Sequence, residues 1–193
     1  MKRIIAALLT AGGFLATSLL AVPAARAADV FTLTSSAVQD NGTLATKNAC
    51  SDKQRSPNCV GENVSPPLAW SNVPDGTKSF ALLLLDPEGR PPAGVSHMVV
   101  YGIPTDVKGL AEGELSKPSD KFVGGKNLMG VGIYFGPGTP PNTDWHHYTF
   151  TLVATDLDPK ALEPGMTRDE LAKALDGHVK GSAGLVTRFR HPT

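Results

Sequence analysis

A mainly β chain, built as an antiparallel sandwich in one domain with a helix near its C-terminus, is predicted by three observations. Short runs rich in β-formers recur between glycine- and proline-rich connections, one of these runs alternates strictly, and a single segment carries a convincing helical signature. The runs are Val30 to Leu33, Ser79 to Leu85, Ser96 to Ile103, Val131 to Phe135, Tyr148 to Ala154 and Leu185 to Phe189. From Tyr148 the pattern alternates: Tyr148, Phe150, Leu152 and Ala154 share one face, and Thr149, Thr151 and Val153 the other. Leu82 to Leu85 is apolar on both faces, which predicts a central strand covered on each side. The helix is expected to begin at Thr167, where Thr-x-x-Glu ending at Glu170 forms a capping box. Leu171, Leu175 and Val179 then follow at helical spacing, with Gly181 as the stop.

The N-terminus has the build of a secretory signal peptide. Lys2 and Arg3 precede an apolar run from Ile4 to Leu20, Pro23 breaks it, and Ala25-Arg26-Ala27 is a small-residue cleavage site. The expected division is therefore residues 1–27 as signal and 28–193 as a single domain, exported to the periplasm or secreted. No later run approaches the roughly twenty apolar residues that a spanning helix needs, and no amphipathic insertion helix is evident. Losing the signal removes three positive charges from a formally neutral chain, leaving a mildly acidic one without basic runs. That composition argues against nucleic acid as a partner.

Cys50 and Cys59 are the only cysteines, and export carries them to an oxidising compartment where such pairs close. Two free thiols or half of a metal site are the competing readings. In the chain-entropy model a loop this short contributes about 2.5–3 kcal/mol. The stretch from Cys50 to Asn63 is polar and turn-rich, and reads as a long surface loop stapled by the bridge.

Three ionisable groups stand where apolar strands begin or end: Asp86 after the leucine run, His97 before Met98-Val99-Val100, and His146 before the Tyr148 strand. A carboxylate abutting buried strands is costly unless bonded, so Asp86 requires a definite partner. If the three strands are neighbours, the three groups converge. Between Tyr134 and Tyr148 the prolines and glycines fix a rigid, unhelical loop whose backbone N–H groups suit an oxyanion.

These residues also resemble a known family. Asp86-Pro87-Glu88, His97-x6-Pro104, Tyr134-x-Gly136-Pro137, Pro140-Pro141 and His146-x-Tyr148 match in order the two signature regions of phosphatidylethanolamine-binding proteins. Cys59-x-Gly61-x-Asn63-x-Ser65-Pro66-Pro67-Leu68-x-Trp70 and Leu171 to Gly184 are similar to its bacterial Raf-kinase-inhibitor-like branch. The resemblance implies a Greek-key β-sandwich with a C-terminal helical segment and a small pocket at one end. In that family the pocket takes phosphate, acetate, cacodylate or phosphorylethanolamine. By motif, the implied ligand-binding residues here are Asp86, Glu88 as second carboxylate, His97, Tyr134 in the wall, Gly136, Pro137, His146 and Tyr148. The resemblance implies no catalytic residue, cofactor or metal.

The chain departs from the family pattern in four places. Asp86-Pro87-Glu88-Gly89-Arg90-Pro91-Pro92 replaces Asp-Pro-Asp-Ala-Pro, altering the second acid and the cis-proline turn, and Arg90 either reaches the pocket mouth or lies in water. Met98 replaces a tryptophan, which is expected to widen or soften the pocket wall, and His147 replaces an arginine. Gly138-Thr139 lengthens the Gly-Pro loop by one residue, offset by one fewer before His146.

The leading expectation is a non-enzymatic binding protein for a small anionic, phosphate-monoester or head-group-like ligand, possible regulation of a partner protein being an extension. One alternative is a protease- or kinase-type inhibitor acting through a surface outside the pocket. Another is a metal-dependent hydrolase using Asp86, His97 and His146 as ligands.

Overall fold

The computed structural model describes residues 29–192. The expected signal segment, the proposed domain start at Ala28 and the terminal Thr193 lie outside them. The strands are β1 (Thr32–Thr34), β2 (Gly42–Thr43), β3 (Leu68–Ser71), β4 (Ser79–Asp86), β5 (Val95–Pro104), β6 (Gly109–Leu110), β7 (Val123–Gly124), β8 (His146–Thr155) and β9 (Val179–Phe189), with helix α1 (Arg168–Ala174) before the last. They form a three-stranded sheet in the order β1-β3-β6 and a six-stranded sheet in the order β2-β9-β8-β4-β5-β7. All pairings are antiparallel except the short β2–β9 contact, which is parallel. The mainly β, two-sheet expectation is met.

The core explains the sequence pattern. Leu33, Trp70 and Leu110 of the small sheet meet Phe80, Leu82, Phe150, Leu152 and Leu185 of the large one, and Trp70 packs edge-on to Phe80 at 5.4 Å. On the other face of the large sheet Ala81, Val99 and Tyr101 bury against Leu171 and Leu175 of the helical segment. Strand β4 is thus covered on both sides, which is why it tolerates an unbroken run of leucines. Strand β8 is buried at Tyr148, Phe150, Leu152 and Ala154 and only half-buried at Thr149, Thr151 and Val153, as its alternation predicts.

Two expectations fail, each for a local reason. Val131 to Phe135 is not a strand, because its backbone bonds are distributed among unrelated segments. Asn127 Oδ1 accepts from Met129 N and Val131 N at 2.8 and 3.2 Å, and its Nδ2 donates to Ile133 O at 2.8 Å. Tyr134 N donates to Leu115 O and Phe135 N to His97 O, at 2.8 and 3.0 Å. A Cβ at Gly132 would fall 2.3 Å from Gly124 Cα, so glycine is what lets this segment cross β7 so closely.

The helix starts as expected but stops a turn early. Thr167 Oγ1 accepts from Glu170 N, Glu170 Oε2 accepts from Thr167 N, and the capping box is complete. Leu175 is already the C-cap, and Gly177 at φ +77° turns the chain out of the helix. Val179 opens β9 and is 52% exposed, and Gly181 lies inside that strand. The apolar spacing continued into a strand residue that is more than half exposed.

Replacing Thr167 by Ala removes the side-chain half of the capping box and should lower stability by about 1 kcal/mol. Urea unfolding followed by circular dichroism checks this, with an unchanged midpoint contradicting the capping role.

Candidate functional site

Strands β8, β4 and β5 are neighbours, and one end of this trio carries the candidate residues. Along β4 the even positions Phe80, Leu82 and Leu84 face the inter-sheet core, so Asp86 continues that face to the strand's end. On β8 His146 belongs to the same face as Tyr148 and Phe150. His97 is at an odd position of β5, where Val99 and Tyr101 face the helix layer, and simple alternation would send it the wrong way. A β-bulge corrects this. Leu84 pairs with Met98 but Leu85 pairs with Ser96, leaving His97 as the extra residue. The imidazole thereby reaches the Asp86 side of the sheet, with its Nε2 4.0 Å from Asp86 Oδ2 and its ring 5.1 Å from that of Tyr148.

Asp86 is 3% exposed, and its carboxylate is fully engaged. Oδ1 accepts from the backbone N–H groups of Glu88 and Gly89, both at 2.9 Å, and Oδ2 accepts from His146 Nδ1 at 2.8 Å. The expectation of a definite partner for this buried acid is met by three donors. Gly89 matters sterically: a Cβ there would lie 2.8 Å from Val95 Cγ2 and 3.0 Å from Asp86 Oδ2.

The two histidines are held as the same tautomer by different partners. An ionised carboxylate only accepts, so His146 carries a proton on Nδ1 and leaves Nε2 for a ligand. His97 Nδ1 lies 2.7 Å from the carbonyl oxygen of Phe135, which likewise only accepts, so its proton is also on Nδ1. Burial pushes the His97 imidazole below its ordinary pKa, against the Phe135 carbonyl and the Asp86 charge, which act to raise it. His97 is therefore neutral at neutral pH. Burial, with the charge of Asp86 beside it, pushes the Tyr148 phenol up, so its hydroxyl stays protonated.

These groups open into a cavity of about 560 Å³ lined by Asp86, Glu88, His97, His146 and Tyr148. Its remaining wall comes from Arg55, Ser56, Arg90, Val95, Leu128, Met129, Phe135, Gly138, Thr139, Pro140, Thr143 and the Cys50–Cys59 disulfide. Cys50 and Cys59 are bridged as expected. Glu88 is at the mouth, where burial raises its pKa but hydrogen bonds from His147 N at 3.0 Å and Nδ1 at 2.8 Å outweigh this and hold it low. Pro91–Pro92 is the cis peptide bond of this turn. Arg90 is exposed at the mouth.

Three expected site residues are placed outside the cavity lining. Tyr134 is fully buried and its hydroxyl donates to Asn48 O at 2.8 Å, so it is a core residue rather than a wall. Gly136 N donates to Asn63 Oδ1 at 2.8 Å, and Pro137 O accepts from Cys50 N at 2.9 Å. These backbone groups fasten the Gly-Pro segment to the disulfide loop instead of facing a ligand. Met98 is also absent from the wall, being completely buried opposite Leu84, so its effect on pocket width is indirect. Conversely Arg55, Leu128, Met129 and Thr139 line the cavity without having been singled out for it. For Thr139 the added loop residue was the available signal.

The metal reading falls on a different set of ligands from the one expected. The ligand atoms that cluster within 4.8 Å belong to Asp86, Glu88 and His146, not to the Asp86, His97 and His146 set first considered. Both oxygens of each carboxylate already accept a hydrogen bond, and the Nδ1 of His146 is spent on Asp86.

Comparison with known proteins points one way. The family model described as phosphatidylethanolamine-binding protein matches residues 34–190. A UPF0098 protein of Methanothermobacter thermautotrophicus is 39% identical over 150 residues, covering 74% of this chain and 95% of that one. The UPF0098 protein YbhB of Escherichia coli is 32% identical, covering 67% and 83% respectively. Among solved structures, Escherichia coli YbcL, described as a member of the mammalian family, superposes with a TM-score of 0.74 at 27% identity, covering 83% of this chain and 98% of that one. A Chlamydia trachomatis homologue gives 0.69 at 31% identity, covering 84% and 98%.

The neutral His97 has a thermodynamic consequence. Its pKa is lowered from 6.5 in the folded state, so below about pH 6.5 the unfolded chain binds a proton that the folded one resists. Stability from this group is complete above that pH and is lost as pH falls toward the folded pKa. Thermal melts between pH 7.5 and 5 should show a decline that is shallower in His97→Asn, whose amide retains the bond to Phe135 O. Parallel declines in the two proteins would contradict the assignment.

Proposed function

The chain belongs to the phosphatidylethanolamine-binding protein family, and on that premise we propose that it is an exported binding protein for small anions of the phosphate-monoester class. The observation that carries this reading is the Asp86–His146 pair at 2.8 Å inside the cavity. Asp86 fixes the ring by accepting from Nδ1, leaving Nε2 to meet a ligand oxygen. One proton then lies between Nε2 and that oxygen, whether carried by the imidazole or by the phosphate. Tyr148 adds a hydroxyl that stays protonated, and His97 gains a donor at Nε2 only when acid protonates it.

Binding without turnover is the simpler chemistry of such a site. Among the described residues no serine or threonine hydroxyl is hydrogen-bonded to His146, and the thiols are locked in the disulfide. Among those residues no helix is long and apolar enough to cross a membrane.

Titration calorimetry with phosphorylethanolamine and with inorganic phosphate should detect binding that strengthens as pH falls below about 6.5, where His97 gains its Nε2 donor, after correction for the ligand's own ionisation. His146→Ala should lose about 10- to 100-fold in affinity, the range expected for a charge-assisted hydrogen bond. Affinity unchanged on acidification, or indifferent to His146, would overturn the reading.

Export is supported by the Lys2-Arg3 and Ala25-Arg26-Ala27 pattern together with the disulfide. Intact mass measurement on protein recovered from the periplasm of a bacterial host expressing the full chain should place the new N-terminus at Ala28. A chain that keeps Met1 in the cytoplasm contradicts export.

A further inference from the structure

We propose that the cavity contains a second anion subsite, made by Arg55 and Thr139, which makes the site selective for a small phosphate monoester bearing a second negatively charged group. The inference rests on the phosphate-binding reading above and adds the sign of the charge at the ligand's other end.

The physical case starts with an unpartnered polar atom. Thr139 is 1% exposed, lines the cavity, and its Oγ1 has no hydrogen-bond partner among the described residues. A buried hydroxyl left unpaired is costly, and a ligand acceptor removes that cost. Arg55 lines the same cavity, and among the described residues its guanidinium has no carboxylate within ion-pair distance. A guanidinium offers five donors in a planar fork, and carboxylate and phosphate are the groups that match it.

Both residues line the cavity, Arg55 from an exposed position, and covalent and backbone constraints tie together the loops that carry them. Arg55 sits on the loop closed by Cys50–Cys59, where Arg55 N donates to Asp52 Oδ1 at 3.1 Å and Ser56 N to Asp52 O at 3.0 Å. Cys50 N donates to Pro137 O at 2.9 Å, and a Cβ on Gly138 would lie 3.1 Å from Cys50 Sγ. The disulfide is thus wedged against the residue preceding Thr139. The cavity, at about 560 Å³, is within the range that takes a drug-sized molecule, far more than one phosphate fills. The Asp86–His146 pair takes the monoester, and Arg55 with Thr139 takes the second oxyanion.

The test compares ligands that share a phosphate but differ in the sign of the other end. 2-Phosphoglycolate and 3-phosphoglycerate carry a carboxylate, and phosphorylethanolamine carries an ammonium. The better of the two carboxylates should bind wild type about three- to fivefold more tightly than phosphorylethanolamine, the scale of a partly solvated ion pair. Arg55→Ala should abolish that advantage, read as the ratio of the carboxylate's affinity to that of phosphorylethanolamine in the same variant. Thr139→Val should also reduce it while leaving the melting temperature unchanged or raised, since an orphan hydroxyl is removed. A destabilised Thr139→Val with ligand preference intact would assign that hydroxyl to the fold alone.

Equal or tighter binding of phosphorylethanolamine by wild type, or an advantage that survives Arg55→Ala, overturns the second subsite. The controls separate this from failure of the underlying reading. If inorganic phosphate does not bind, or ignores His146→Ala, the monoester site itself falls. If phosphate binds through His146 and only the carboxylate preference is missing, the monoester site stands and the second subsite falls.

Discussion

A carboxylate at the end of an apolar strand, 3% exposed, is the constraint from which the rest of this site follows. Asp86 cannot keep its charge there without donors, and no single neighbour supplies enough. The chain answers locally by folding back at Pro87-Glu88-Gly89 so that two backbone N–H groups reach Oδ1, and distantly by bringing His146 to Oδ2. The first answer demands the absence of a side chain at Gly89, and the second demands that β4 and β8 pair as far as Leu85 and Thr149. The central position of β4 between two cores is what supplies that register, since a one-residue slip would turn Asp86 toward the helix layer.

The same burial that makes Asp86 need partners divides the labour between the two histidines. His146 is closer to solvent and directly bonded to the acid, whereas His97 is deeper, 4.0 Å from the carboxylate, and satisfied by a carbonyl. The charge of Asp86 acts to raise the pKa of His97, but desolvation is the larger influence and keeps it neutral. An account that treated the pair as equivalent cations would overstate the positive charge in the cavity. At neutral pH the cavity is faced by the protonated Tyr148 hydroxyl and by the cations of Arg55 and Arg90.

How much of this was legible in the sequence depends on the type of residue. The chain's periodicities located β4, β5 and β8 and the start of α1, because those segments bury a face and the pattern is the burial. They mislocated the helix end, where Val179 continued the spacing by coincidence and Gly177 ended it by backbone geometry. They read Val131 to Phe135 as a strand because apolarity does not reveal that Asn127 has already claimed its backbone. Convergence of Asp86, His97 and His146 was readable only as a condition on strand neighbours. The bulge that turns His97 around leaves no mark in the local pattern, since it follows from the pairing of two strands. Motif resemblance carried Tyr134, Gly136 and Pro137 into the site although their polar atoms bond to the protein itself.

Those misplacements have a common cause with a functional meaning. The Gly-Pro segment and the disulfide loop are fastened to each other through Cys50, Asn63 and Asn48, so the motif residues serve to hold the second wall of the cavity. The first wall consists of strand ends whose geometry the sheet dictates, and a change there disturbs the core. The second wall consists of two loops whose closest approach is set by one disulfide and a few backbone bonds, leaving Arg55 and Thr139 free to vary in chemistry without cost to the sheets. Under the proposed function, affinity for an anion is a property of the fold's centre, and choice among anions a property of the loops. A rigid strand-borne dyad facing a cross-linked loop reconciles a shared fold with differing ligands, because selectivity can change by substitution on one wall while the buried carboxylate on the other remains satisfied.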